Sequence, residues 1–418
     1  MDNINDNTQE EKEQEQKEDR EDEKLIRDAE ETLHELRTKP TTLAEVYTVF
    51  NEWVYLPYPP ALKIILATCL SLQLDNPPVW LQLIGPSGSG KTLILRSLES
   101  KTNILINAIT PKAFVSGLLG KQKDCSTLPL FHMKNIIVPE LSTMLTKDPR
   151  VLNEVIGELV SIHDEIFGGI FGSGKALETY RTKCGLIMGI TTVIDRFYKV
   201  QQALGPRTVN LRLPKPNPKE LKTFLRKAKL SEKQKRTELR LAATGYLQNF
   251  ELHPEKITIS EEWDAKICAL AEFVATARSI VSRDGYTKEI NQEPEIESLS
   301  RLYQNFTLYA ITFCLMENKA GMDEEEYTLI KRIGWDSIPP FRAKLLKALL
   351  QDPGGFLTGY RVGVQIDEKE TTTSRALGDL VALEICEKTS VMGSECCLSP
   401  AFLKLAEQAG LEAPKREP

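Results

Sequence analysis

Eight consecutive residues, Gly85-Pro86-Ser87-Gly88-Ser89-Gly90-Lys91-Thr92, satisfy G-x-x-x-x-G-K-[ST] without a gap. They follow the apolar run VWLQLI and lead into the helical TLILRSLES. The chemistry requires that order of strand, turn and helix. Glycines let successive backbone N–H groups turn inward around phosphates, and the helix N-terminus adds partial positive charge. Lys91 would reach the β- and γ-phosphates and Thr92 would hold Mg²⁺, so ATP and Mg²⁺ are the expected ligands. A second G-x-x-x-x-G-K, at Gly169–Ala176, lacks the hydroxyl that would hold the metal and has no clean strand before it. It reads instead as a hairpin tip between IFGGIF and ALETYRTK.

Composition bears on the partner. The 418-residue chain has net charge −6, yet its first 30 residues hold 13 acidic against 5 basic side chains, a net of −8. The remainder is therefore near +2, which permits a DNA partner that the whole-chain value argues against. The run 215–240 carries 10 Lys/Arg and 3 Glu. No stretch approaches the roughly 18 apolar residues of a membrane span. The start, MDNINDNTQEEKEQ, lacks the basic and apolar regions of a signal peptide, and a cytoplasmic protein is expected. Eight scattered cysteines without CxxC and four histidines give no zinc pattern and suit free thiols.

The pattern divides the chain into five segments: an acidic tail (1–33), N-terminal helices (34–78), an α/β core (79–214), a helical lid (215–336) and a C-terminal unit (337–418) with its own core. In the core, the strand TNILINA intervenes in chain order between the loop strand and NIIVPE. That order marks the P-loop ATPases whose added acid polarises water. Here the acid is Glu140, preceded by Pro139 and without an adjacent partner; Asp164 or Glu165 could complete the pair in space. At the end of the strand CGLIMGITT, Thr191 (Thr192 second) is a candidate hydrogen bonder to the γ-phosphate or the lytic water. Arg207, before the strand TVNLRL, is the candidate finger for a neighbour's site, ahead of Arg212 and Arg196. It implies a homo-oligomer, ring or dimer.

GPSGSGKT, ELSTML, GLIMGITTVIDR, ALGPR and ARSIVSRDGYTKEI together resemble AAA+-type ATPases of phages and mobile elements, over roughly residues 42–405. The chain is more distantly similar to superfamily 3 and minichromosome-maintenance helicases. The family commonly has Asp where Glu140 stands and Gly-Glu-Arg where this chain has Gly205-Pro206-Arg207. The resemblance implies an α/β fold with a P-loop AAA+ parallel sheet core, a helical lid and a C-terminal winged helix-turn-helix. It implies Arg278 as a second sensor reaching back to the phosphate, with Arg283 and Arg301 as alternatives. It also implies a pore hairpin, on which Lys175, Arg181 and Lys183 would meet the DNA backbone.

In the C-terminal unit, PPFRAKLLKALLQ, TGYRVGVQI and DEKETTTSRALGDLVALEICEK read as three helices, and SVMGSECCLSP as a wing. Thr371, Thr372, Thr373 and Arg375 then open a recognition helix for DNA. Three functions compete. The first is an ATP-driven DNA motor or remodeller (helicase, loader); the second a nucleotide-switched DNA-binding regulator; the third a weakly catalytic assembly scaffold.

Overall fold

The computed structural model describes residues 42–111, 114, 126–164, 166–169, 178–197, 204–227, 231–352, 355, 357–388 and 395–411. The acidic tail, the helix expected at PKAFVSGLLG apart from Pro111 and Phe114, Glu165 and the hairpin tip with Lys175 lie outside them.

Five parallel strands form the central sheet: β1 (Trp80–Ile84), β2 (Asn103–Leu105), β3 (Lys134–Val138), β6 (Cys184–Ile190) and β7 (Thr208–Arg212), in the spatial order β2-β3-β6-β1-β7. All five residues of β1 and all seven of β6 are buried, as a parallel sheet covered on both faces requires. Their side chains alternate between two cores. Trp80, Ile84, Ile136, Val138, Leu186, Met188 and Ile190 face one core, against Leu152, Val155, Ile156 and Leu159 of α4 (Pro149–His163). Leu81, Leu83, Ile137, Ile187, Val209 and Leu211 face the other. The period of two along each strand sets this division.

The second core is the larger. It takes in α1 (Leu43–Trp53), α2 (Pro60–Ser71) and α3 (Lys91–Arg96). Beyond β7 it is continued by α6 (Glu232–Gln248), α7 (Glu261–Arg278), α8 (Ser300–Met316) and α9 (Glu324–Ser337). Before α6, the short α5 (Pro218–Lys227) buries no residue and bears part of the basic run. α2 is apolar around most of its circumference and is buried from Ala61 to Ser71. Its lone cation, Lys63, is compensated by Glu317 at 2.6 Å and the face of Phe313.

The C-terminal unit comprises α10 (Pro340–Gln351), β8 (Leu357–Thr358), α11 (Gly359–Ile366), α12 (Glu370–Ala382), β9 (Cys386–Lys388), β10 (Glu395–Leu398) and α13 (Pro400–Gln408). Its strands make a small antiparallel sheet in the order β8-β10-β9. The expected separate core is not what forms: Leu377, Leu380 and Phe402 belong to the same cluster as α7 and α8. Phe402 stacks on Phe273 at 4.6 Å, and Tyr327 donates to the Ala409 carbonyl. Arg342 donates to the Ala277 and Ser279 carbonyls, tying α10 to the end of α7. The remaining strands, β4 (Ile166–Gly169) and β5 (Glu178–Arg181), pair antiparallel as the hairpin expected at the second glycine-rich stretch.

Candidate functional site

β1 ends at Ile84, and the chain turns through the phosphate loop into α3. Gly88 and Gly90 take φ of +77° and +83°, a left-handed backbone in which a side chain would be strained. Gly90 is also the residue that starts α3. Gly85 is fixed to the sheet by its N–H, which donates to the Ile190 carbonyl at 3.1 Å. The loop is thus positioned by β6 as well as by its own strand.

Lys91 is 4% exposed, and its ammonium donates to the Gly85 and Pro86 carbonyls (2.8 and 2.9 Å) and to Ser89 Oγ (3.4 Å). Burial lowers its pKa below the ordinary lysine value, and the nearby Glu140 carboxylate opposes that shift. Lys91 and Glu140 are therefore electrostatic neighbours across the ends of β1 and β3, although β6 lies between those strands. Thr92, one residue on, is half-buried in the first turn of α3.

Glu140 accepts from the Ser142 N–H at 3.1 Å. The Ser142 hydroxyl bonds Thr191 Oγ1 at 2.9 Å and accepts from the Thr191 N–H at 2.8 Å. The candidate acid and the candidate sensor are joined through this serine, which the sequence marked only as part of ELSTML. The approach depends on Gly189. A Cβ there would lie 2.3 Å from the Pro139 carbonyl oxygen and 2.9 Å from Leu95 Cδ1.

Also missed by the sequence is a network beside the loop. Leu213 N–H donates to the Ile84 carbonyl, and a Cβ on Gly85 would lie 3.1 Å from Leu213 Cβ. The adjacent Arg212 makes two bonds to Asp195, at 3.0 and 2.8 Å, and its backbone N–H donates to Asp336. Arg332 donates to Asp336 and to the Arg212 carbonyl, with its guanidinium 4.8 Å from the Tyr58 ring. Burial raises the Asp336 pKa against the pull of Arg332 and Arg212. The i,i+4 pair Arg332–Asp336 was the available sequence signal.

Other expected residues lie elsewhere. Arg278, 7% exposed, forms a bidentate pair with Glu297 and donates to the Thr208 carbonyl at 3.0 Å. Thr208 aligns with Trp80 at the start of β1, whereas the phosphate loop follows its end. Five residues of parallel strand separate those edges by roughly 16 Å. Arg278 is thus a structural clamp at the edge away from the loop, and the reach to a phosphate in its own chain is not made. Neither alternative supplies it: Arg283 pairs with Asp379 at 2.6 Å, and Arg301 faces Asp164. Asp164 does not complete an acid pair with Glu140, because it pairs with Arg207 at 3.1 Å at that same far edge. Partial burial pushes its carboxyl up, but the Arg207 guanidinium and the bond from His163 outweigh that and hold it below the usual range.

Of the expected DNA contacts, Arg181 is exposed, but Lys183 donates to the Leu74 carbonyl. Thr373 is fully buried and bonds the Lys369 carbonyl, so it packs α12 onto its own unit and is not a surface contact. Thr371, Thr372 and Arg375 are exposed. Farther along α12, Arg283 holds Asp379 and donates to the Arg375 carbonyl. The acids Asp323, Glu325 and Glu326 bring ligand atoms within 4.8 Å of one another. They neutralise Lys319 and cap α9, which accounts for their clustering.

No protein-family profile matches the chain, and no curated protein matches it. Among solved structures it is similar to one from Cytophaga hutchinsonii, described as that of a candidate ATPase. The identity is 14%, with 75% of this chain and 90% of that chain covered, at a TM-score of 0.45. A likeness at that level speaks to no activity. What the chain itself displays is a parallel α/β core with a glycine loop and lysine of nucleotide-binding type, and no described helix is long and apolar enough to cross a membrane.

Proposed function

We propose that this protein is an AAA+-type ATPase that hydrolyses Mg²⁺-bound ATP and acts on DNA as a ring or dimer. One observation carries the reading: the phosphate loop, Lys91, Glu140 and the Ser142–Thr191 pair share one edge of the parallel sheet. Loop N–H groups and Lys91 would bind the phosphates, Lys91 exchanging its loop acceptors for phosphate oxygens. Thr92 and Glu140 are the residues that would hold Mg²⁺, which when bound neutralises charge developing on the phosphates. Glu140, with its partner Ser142 bonded to Thr191, would orient the attacking water. Arg207, at the far edge, would serve a neighbouring copy. The segments proposed to carry these roles are the core (79–214), the lid (215–336) and a winged-helix unit (337–418), with the N-terminal helices (34–78) as buttress.

The DNA role rests on the helix order α10, α11, α12 with the β9–β10 wing, and on the exposed Thr372 and Arg375 at the start of α12. A second reading, a slow nucleotide-switched regulator, is favoured by the single acid at Glu140 and by the Arg283 clasp on α12. Steady-state ATPase with and without single-stranded DNA separates the two. Stimulation by single strands supports the motor; duplex binding without stimulation supports the regulator. Wild-type turnover matched by Lys91→Ala would remove the ATPase reading altogether.

A further inference from the structure

Asp164 closes α4 and meets two guanidinium groups from distant parts of the chain. Arg207, in the turn before β7, approaches Oδ2 at 3.1 Å; Arg301, in the first turn of α8, approaches Oδ1 at 3.5 Å. The carboxylate is 47% exposed and Arg301 41% exposed, so the cluster opens outward. His163 Nδ1 also lies 3.3 Å from Asp164, but its ring is buried edge-on against Trp80 and its pKa is pushed down to about 4, so it adds no positive charge near neutrality. Two guanidinium groups therefore share the Asp164 carboxylate. Among the described residues Arg301 has no other ion pair.

The position excludes service to the chain's own loop, roughly 16 Å away along the strands. Paired guanidiniums converging on two oxygens of one planar anion are geometrically suited to two oxygens of a phosphate. We propose that Asp164 is an internal stand-in for the terminal phosphate of a nucleotide held by a second copy of this chain, and that Arg301 binds that phosphate together with Arg207. This rests on the reading that the site is shared between copies, and it adds a second trans-acting arginine and a positioning residue. On assembly the neighbour's phosphate displaces Asp164, so docking and charge stabilisation become one event. Without a neighbour, Asp164 keeps both arginines parked.

Mixing experiments test it with full-length protein. Lys91→Ala supplies intact arginines but no working loop, whereas Arg301→Ala and Arg207→Ala each keep the loop. Each arginine variant alone should lose at least about tenfold in kcat. Each should regain activity when mixed with the Lys91→Ala protein. Rescue of Arg207→Ala but not of Arg301→Ala overturns the role of Arg301 while leaving the shared site standing; rescue of neither overturns both. Loss of oligonucleotide affinity in Arg301→Ala at unchanged kcat would assign the arginine to a polynucleotide phosphate and overturn the proposal. For Asp164→Asn, half-maximal turnover should come at a several-fold lower protein concentration, and Asp164→Glu should restore the wild-type midpoint. An unchanged midpoint overturns the stand-in role. Thermal melts matched to wild type, with Arg301→Lys as a milder variant, separate these effects from misfolding.

Discussion

Gly189→Ala is the sharpest single test of how the sheet assembles the site. The added methyl carbon would lie 2.3 Å from the Pro139 oxygen, 3.0 Å from the Pro139 carbonyl carbon and 2.9 Å from Leu95 Cδ1. Leu95 can rotate, but Pro139 is backbone at the end of β3. Ordinary contact needs more than 3 Å, so β3 and β6 must part by about 1 Å where they carry Glu140 and Thr191. Overpacking of this kind costs about 1–3 kcal/mol of stability, which a folded core of this size survives. The catalytic effect should be larger, because a misplacement near 1 Å can cost on the order of 10²-fold in rate. The displacement strains the bond from Leu141 N–H to the Gly189 carbonyl (2.8 Å), and with it the Ser142–Thr191 pair. If β3, which carries Pro139, is the strand that yields, the bond from Gly85 N–H to the Ile190 carbonyl on β6 keeps the phosphate loop in place. We expect kcat for ATP to fall on the order of 10²-fold, while the affinity for a fluorescent ATP analogue changes only a few-fold. A folded Gly189→Ala protein with wild-type kcat would falsify the assignment of Glu140 and Thr191 to one catalytic edge.

Two further outcomes follow from buried groups. Arg278→Ala should cost about 3 kcal/mol in denaturant unfolding, because Glu297, 15% exposed, is left without its partner; replacing both residues by apolar ones should recover much of this, and an equally unstable double variant would contradict the clamp. His163 titrates near 4 in the folded chain against an ordinary value of 6.5. The unfolded chain therefore binds the proton first, so His163 leaves stability level above pH 6.5 and erodes it by up to roughly 3 kcal/mol as pH falls from 6.5 to 4. His163→Gln should flatten that part of the profile of melting temperature against pH, and an unaltered slope would show that the loss arises elsewhere.

The strand–loop–helix order around Gly85–Thr92 was legible because each step is local. An apolar strand, glycines at positive φ and a helix start lie within about fifteen residues, and no distant contact is needed to specify them. The two-faced burial of β1 and β6 was legible for a related reason: continuous apolar runs have one stable place, inside a covered parallel sheet. The place of Thr191 follows directly from the end of its strand, where it bonds Ser142. Arg278, Asp164 and Thr373 were misjudged because their roles depend on where an element's end arrives in space. A strand fixes which edge its flanking residues occupy, but a lid helix such as α7 can bring an arginine to either edge with the same amphipathic pattern. Packing decided for the edge at Thr208, where Glu297 compensates the buried charge. Ser142 entered the site for the converse reason, since a serine carries no pattern until a glycine on a neighbouring strand lets two backbones meet. By itself the sequence determined the phosphate loop and its sheet; which charged side chains share that edge, and which lie at the opposite one, was decided only by long-range packing and the electrostatic cost of leaving a buried charge unpaired.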